Sequence, residues 1–275
     1  MADDQAAPAE APDAAAPSDA DEVHWPRFAS IWATPESCSE AEERWRASLA
    51  WRAETGMDRV LQQPAPTFHL IKRVYPHAFH KRAKNGAVVV LERCDHLPAL
   101  AQACYDASVS GTEAGLHSAL CHEFLCHRLD PAPLPGGRVL RICDFATLSI
   151  WQLLPFVLTF AASIVSVVAR NYPQRAAHTF VLNASSTFGL ILTLMTKMLA
   201  AINPTALEGV HVFTAAQAGE AAAALLELVD SESLPAEYGG SCACEGEGGC
   251  WRRAPEEVAF WEHVEALTPL EVRRG

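Results

Sequence analysis

Hydrophobic positions along the chain follow two rhythms. At 87–93 the residues Val88, Val89, Val90 and Leu91 follow one another without a break, and 139–145 and 178–183 share that β-branched, continuous character. Such runs predict strands covered on both faces, and Asn85-Gly86 punctuates the start of the first. Residues 38–55 repeat instead at helical spacing, with Ala41, Trp45, Leu49 and Arg52 on one stripe, Ala47, Trp51 and Glu54 beside it, and Gly56 as a stop. A second short helix is expected over 67–75, capped by Thr67 and limited by Pro76, before a basic turn from His77 to Asn85. Further helices are predicted at 113–129, 150–170, 188–200 and 215–229, with a short strand at 209–213. Strands alternating with helices imply an α/β domain with a largely parallel sheet, and no internal repeat suggests more than one folded domain.

Two of these stretches are unusually oily. The run 145–169 holds twenty-five residues without a charge, enough to cross a bilayer core of about 30 Å. Pro155 interrupts it, Ser149, Gln152, Ser163 and Ser166 dilute it, and its first residues continue a strand that a bilayer helix cannot share. Burial in a folded domain is the favoured reading, with an integral membrane protein spanning near 145–169 as the alternative. In 188–200, Leu190, Ile191, Leu192, Leu194, Met195, Met198 and Leu199 cover most of the circumference, while Gly189, Thr193, Thr196, Lys197 and Ala200 make a thin polar edge. That pattern fits a core helix with one Lys in solvent, or a lid with a ligand on one side and a membrane on the other.

Composition narrows the classes. Half of the 275 residues are hydrophobic, so a real core is available, and 33 acidic against 21 basic residues leave a net charge of −12. A wholly disordered chain and a general nucleic-acid binder are excluded. Seven carboxylates and no Lys or Arg fall in 1–22, which is read as a disordered acidic tail and fits neither a secretory signal nor an Arg-rich transit peptide. Nine cysteines are too sparse for a disulfide scaffold, so a reducing cytoplasmic compartment is expected, where the sequon Asn183-Ala184-Ser185 has no use. Cys242, Cys244 and Cys250, with Cys121, His122, Cys126 and His127, are of zinc-binding type, but the spacing lacks paired knuckles and no metal is expected. Lys72, Arg73, Lys81, Arg82 and Lys84, with His77 and His80 between them, form a dense basic stretch, read as a solvated loop in preference to a site for anionic headgroups. No nucleophile elbow, phosphate-cradling loop or metal helix occurs, so an enzyme is not expected.

Several separated segments resemble CRAL-TRIO lipid-binding proteins. Ala50-Trp51-Arg52 with Gly56 and Asp58, then Val60-Leu61-Gln62, is similar to the end of that family's N-terminal helical region; Tyr75-Pro76, His80-Lys81 and Gly86 resemble the entry to its first strand. Arg141-Ile142-Cys143-Asp144 resembles the strand whose Asp precedes a lipid-facing turn, and Asn171-Tyr172-Pro173 the family's Asn-Tyr-Pro element. Phe180-Val181-Leu182-Asn183-Ala184 resembles the strand into its gate helix, Ile202-Asn203-Pro204 the exit, and 225–240, from Leu225 through Leu234-Pro235 to Tyr238-Gly239-Gly240, the closing segment. Ser241-Cys242-Ala243-Cys244 with Gly248-Gly249-Cys250 is similar to an extension in phosphatidylinositol transfer members.

The resemblance implies a mixed, largely parallel sheet with helices packed on it, a small N-terminal helical lobe, and a mobile gate helix over an apolar pocket. The divisions it suggests are the tail 1–22, a helical region 23–75 without the usual basic leading helices over 23–37, a lipid-binding domain 76–241 and an extension 242–275. A two-chain lipid leaving a bilayer exposes on the order of thirty methylenes, roughly 24 kcal/mol that a lining must offset. The expected lining is Trp151, Leu153, Leu154, Phe156 and Phe160, then Phe188, Leu190, Ile191, Leu194, Met195 and Met198 on the gate, with the methionines adapting to varied chains. Ser149 is expected near a phosphocholine phosphate. Where phosphoinositide-binding members carry a headgroup Glu and Lys, this chain has Gln174 and Gly209, so weak phosphatidylinositol selectivity is expected and a choline lipid or sterol-like molecule stays open. The implied protein is a cytoplasmic, peripheral lipid carrier or presenter, with bound lipid as its only cofactor-like group. Its implied partners are a phospholipid or other hydrophobic molecule, a transient membrane surface, a lipid-modifying enzyme and no nucleic acid; a pocketless α/β interaction module is the other alternative.

Overall fold

The β-branched runs do assemble into a sheet in the computed structural model, which describes residues 19–185, 202–205 and 207–268. Strands β1 (His77–Arg82), β2 (Val88–Arg93), β3 (Val139–Asp144), β4 (Ala176–Leu182) and β5 (Val210–Val212) lie side by side in chain order. β1 runs antiparallel to β2 and every other pair is parallel, so the sheet is mixed and largely parallel. The expected gate helix 188–200, with Phe188, Leu190, Ile191, Leu194, Met195 and Met198, lies outside the described residues.

Strand β1 corrects the expectation of a basic turn over 77–85. Its residues Ala78, Phe79 and His80 are buried and its two cations, Lys81 and Arg82, follow at the open end, so a stretch that reads as polar by composition is a largely buried strand. The basic side chains hold main-chain carbonyls: Lys81 Nζ donates to Glu232 (2.7 Å), Arg82 to Gly86 and Leu129 (2.9 and 2.8 Å), and Lys84 to Leu226 (2.7 Å). Lys72 is buried, so the solvated-loop reading fails for it as well.

Helices α1 (Asp19–Trp32) and α2 (Ser39–Thr55) form a hairpin around Phe28, Trp32, Ala41 and Trp45. Thus α1 begins within the stretch read as a tail, while α2 ends at Gly56 as expected, where φ is +68° and a side chain would be strained. α3 (Phe68–Val74) forms without a side-chain cap from Thr67. α4 (Leu97–Asp106) follows, and α5 (Gly111–Phe124) opens on a capping box in which Ser110 Oγ accepts the Glu113 N–H and Glu113 accepts the Ser110 N–H. The charge-free run 145–169 is divided: a turn follows β3, and only at Pro155 does α6 (Pro155–Asn171) begin. Among the described residues no helix is long and apolar enough to cross a membrane, which counts against the spanning alternative. α7 (Ala218–Leu228) and α8 (Pro255–Leu267) complete the helices used below.

The sheet separates two packed layers. On one face Val89, Leu91, Leu140, Ile142, Phe180 and Leu182 pack against Ala221 and Leu225 of α7 and against Val229, Leu234, Tyr238, Cys242 and Cys250 of the closing segment. On the other, Phe79, Val88 and Val139 meet Phe68 of α3, Leu120 and Phe124 of α5, and Phe260 and Val264 of α8. Two buried ion pairs tie this second layer together. Lys72 donates to Glu257 at 2.5 Å, joining α3 to α8, and Glu257 also accepts the Phe79 N–H of β1 at 3.0 Å. Arg52 of α2 grips Glu123 of α5 with two nitrogens (2.6 and 3.2 Å), and Tyr172 Oη donates to the same carboxylate at 2.7 Å.

Replacing Arg52 with Met strands the Glu123 carboxylate and should cost about 3–5 kcal/mol in denaturant unfolding. The double variant Arg52→Met with Glu123→Leu should lose less; equal or greater loss would show that the charges are not coupled.

Buried neutral histidines set an acid limit. Burial, reinforced by Arg175, lowers His24 to about 3; burial and Lys72 lower His117 to about 3; burial lowers His122 to about 4. With folded values below the ordinary 6.5 or so, the unfolded chain takes up protons first, so stability is complete above about pH 6.5 and falls as the pH drops toward 4. Urea midpoints should therefore drop steadily between about pH 7 and about pH 4.5, and a flat profile would contradict the buried neutral rings.

Candidate functional site

Glycine places α6. A Cβ at Gly111 would lie 2.9 Å from Ser163, and one at Gly115 would lie 2.8 Å from Val167, so the two bare positions let α5 and α6 approach closely. Phe160 and Ile164 then fill in against Ile71, Leu100 and Ala114, and Val167 and Val168 against Met57, Ala119 and Tyr172. α6 thereby rests mainly on α5 and α4, with the strands taking little of the contact. Its remaining apolar stripe, Leu158, Ala161, Ala162 and Val165, is half-exposed.

Opposite, the same sheet face changes character toward the carboxyl ends of the strands, the usual ligand end of such sheets. Beyond Val88 and Val139 come Glu92 of β2 and Arg141 of β3, joined at 2.5 Å, with Thr179 of β4 in register with Arg141. Of the Arg141 side chain 32% is open. His122 of α5 is half-buried, near enough to Arg141 and Glu92 to feel both charges. This end of the sheet face thus offers part-open charged groups on otherwise apolar strands. The Glu92 carboxylate holds the Arg141 guanidinium well above its ordinary pKa, so the charge persists at any physiological pH.

Asp144 frames the mouth. Its Oδ1 accepts the Ala146 N–H (2.9 Å) and the Asn183 Nδ2–H (2.8 Å), and its Oδ2 accepts the Tyr238 hydroxyl at 3.3 Å. One carboxylate therefore ties the ends of β3 and β4 to the closing segment. Nearby, burial pushes the Asp95 carboxyl up, but hydrogen bonds from Arg93 and Thr147 outweigh it and hold the group below its usual range.

The residues expected to line the interior separate into two groups. Leu153 and Phe160 are at least half-buried. Trp151 at 86%, Leu154 at 51% and Phe156 at 45% exposure are open where α6 begins, and Ser149 is exposed with its N–H on Gln152 Oε1. This stretch links the turn after Asp144 to Pro155 at the first position of α6. The gate residues named above lie outside the described set.

Gln174 and Gly209 are engaged by the protein itself. Gln174 Oε1 accepts from Arg138, its Nε2 donates to Thr205 at 3.2 Å, and its carbonyl accepts from Arg27 at 2.9 Å. At Gly209 φ is +71°, and a Cβ would lie 2.3 Å from the Ala177 carbonyl oxygen, so this backbone leaves no room for a lysine.

Three three-member groups of metal-ligand type already have other partners among the described residues. Glu123, between His24 and His127, is held by Arg52; Glu92, beside Cys94 and Cys143, by Arg141; His77 and His117 meet each other at 2.9 Å beside Cys121. A fourth group, His80 with Cys242, Cys244 and Cys250, lies on the other sheet face. A separate surface cleft of 310 Å³ is lined by Arg73, Arg93, Arg252, Trp251 and Trp261 among others.

The sequence does not mark Glu92 or Arg141 as lipid-site residues, and it marks His122 only as a side chain of zinc-binding type. The available signal was a charge inside each of two continuous apolar strands, Val88-Val89-Val90-Leu91-Glu92 and Val139-Leu140-Arg141-Ile142. Only the parallel register, which pairs Val90 with Arg141 and Glu92 with Cys143, brings the two charges together.

Comparison with known proteins bears on this geometry. The chain is 26% identical over 247 residues to the phosphatidylinositol/phosphatidylcholine transfer protein SFH14 of Arabidopsis thaliana, covering 83% of this chain and 41% of that protein. It is 24% identical over 211 residues to the Sec14 cytosolic factor of Schizosaccharomyces pombe, covering 73% of this chain and 68% of the other. This chain spans about two fifths of the length of the plant relatives. The crystal structure of Sfh5 superposes with a TM-score of 0.58 at 14% identity, over 86% of this chain and 78% of that one, and so shares the fold. The model of the CRAL/TRIO domain matches residues 72–240, from α3 through the sheet and α6 to the closing segment, and the chain belongs to that family.

Proposed function

We propose that this chain binds a phospholipid or similar amphipathic molecule between the sheet and α6, and carries it between membranes or presents it to a lipid-modifying partner. The observation that carries the proposal is a part-open charged pair, Glu92 with Arg141, on an otherwise apolar sheet face, in a fold that also leaves an apolar stripe of α6 half-exposed. An apolar guest alone would leave that floor unsolvated, and a polar guest would waste the helix stripe; a molecule with both characters satisfies both walls. The curated relatives named as phosphatidylinositol/phosphatidylcholine transfer proteins support the ligand class. Action is by capture and release, with no covalent step.

Headgroup choice follows from the two engaged positions. With Gln174 engaged by Arg138 and Thr205 and Gly209 bare, inositol phosphate finds neither the carboxylate nor the ammonium that would hold it. Lipid extracted from the purified protein should therefore be dominated by phosphatidylcholine or a neutral lipid. Vesicle transfer of phosphatidylcholine should exceed that of phosphatidylinositol by about tenfold, the weight of one charge-assisted hydrogen bond. Phosphatidylinositol as the main bound species would overturn the selectivity, and absence of any bound or transferable lipid would overturn the function. Arg141→Met should lower transfer at least about tenfold while circular dichroism stays unchanged, if the floor holds the polar end.

Trp151, Leu154 and Phe156 supply an exposed apolar rim suited to brief contact with a bilayer. Trp151→Ala should weaken vesicle binding about tenfold, given ~1.5–3 kcal/mol for burying one large side chain. Unchanged sedimentation with vesicles would remove the rim from the docking step.

A further inference from the structure

The three cysteines of the closing segment do not stand alone in the fold. Strand β1 carries His80 beneath them, and one donor atom from each of His80, Cys242, Cys244 and Cys250 lies within 4.8 Å of every other. Cys242 and Cys244 approach to 3.4 Å between sulfurs, and the Cys250 thiol points at the Cys242 carbonyl, also at 3.4 Å. A tetrahedral zinc with Zn–S near 2.3 Å separates its ligands by about 3.8 Å, so the cluster is within a small adjustment of a coordination shell.

His80 is the second, independent observation. It is wholly buried, and neither ring nitrogen makes a hydrogen bond of acceptable geometry, although the main chain of Ser233 and Cys250 lies close. A buried imidazole normally satisfies at least one nitrogen, and a missing metal ion accounts for an orphaned one aimed at three sulfurs. The chain around the sulfurs is irregular, held by turn hydrogen bonds and an isolated bridge between Pro235 and Cys242. Cys244, Gly246, Gly248 and Gly249 all have positive φ, and the loop they form returns Cys250 to Cys242 without a strand pairing across it.

We propose that His80, Cys242, Cys244 and Cys250 bind a structural zinc ion that staples the closing segment to the edge strand β1. Three thiolates and a neutral imidazole leave the site with one net negative charge, and Lys81, whose ammonium also donates to the Glu232 carbonyl at 2.7 Å, stands beside Cys242 to offset it. The closed set of four protein ligands leaves no position for substrate, so the ion is structural and takes no part in lipid chemistry. Spacing along the chain argues against zinc because the fourth ligand, His80, comes from a strand far upstream of the three cysteines.

The test is metal analysis of the full chain, purified under reducing conditions without a metal column or chelator. Stoichiometric zinc is expected. After chelation, added cobalt should give the intense thiolate-to-metal charge-transfer band and the visible bands of a tetrahedral three-sulfur site. Cys250→Ser and His80→Ala should each weaken zinc binding by about a hundredfold or more, beyond what loss of an outer-sphere partner costs, whereas Cys121→Ala should leave it unchanged. Reduced wild-type protein that takes up neither zinc nor cobalt would overturn the proposal without recourse to any variant. So would a disulfide among Cys242, Cys244 and Cys250 in protein alkylated at lysis. Because lipid transfer is not the readout, failure here is separate from failure of the lipid reading.

Discussion

A charged pair set into the floor of a sheet constrains everything above it. Glu92 and Arg141 meet at 2.5 Å on the face turned toward α6, in the middle of strands that are otherwise apolar. Removing such a pair from water is costly, and a helix of Leu, Ala and Val offers nothing to offset it. The helix finds its close contacts against α5 at Gly111 and Gly115, and the part-open pair and the half-exposed stripe of α6 are the two walls that the proposed guest would meet.

The rest of the molecule keeps those walls apart. Arg52 and Tyr172 converge on Glu123, fixing α2, α5 and the end of α6 relative to one another, while Lys72 and Glu257 tie α3, α8 and β1. On the far face, α7 and the closing segment pack a dry core against the sheet. Asp144 joins the two systems, since its carboxylate holds the turn after β3, Asn183 after β4 and Tyr238 of the closing segment. A rigid sheet end is what a ligand site needs if only its cover is to move.

Charge in this protein is used locally. The cations near β1 clamp carbonyls or enter buried ion pairs, and the positions where a family headgroup pair would stand are filled by an amide engaged by Arg138 and Thr205 and a glycine pressed against Ala177. The acidic excess of the chain accordingly says little about its ligand. The staple proposed at His80 belongs to the same theme, holding an irregular segment to the edge strand by a few strong contacts.

Periodicity alone was enough to find β2, β3 and β4, the helix ending at Gly56 and the family resemblance, because a strand covered on both faces and a stop glycine leave local marks in the letters. It could not find β1, whose two histidines and two cations look like solvent-facing polarity until a sheet lies beside them. Nor could it place Trp151, Leu154 and Phe156, since hydrophobicity states that a side chain avoids water without stating which surface it meets. The pairing of Glu92 with Arg141, the four donors around His80 and the exclusion of a side chain at Gly209 depend on strand register and on chain segments distant in sequence. Local composition determined the elements and their order; the distances between residues far apart in the chain, and hence the chemistry of the site, were decided only when the sheet set its register and the helices closed on it.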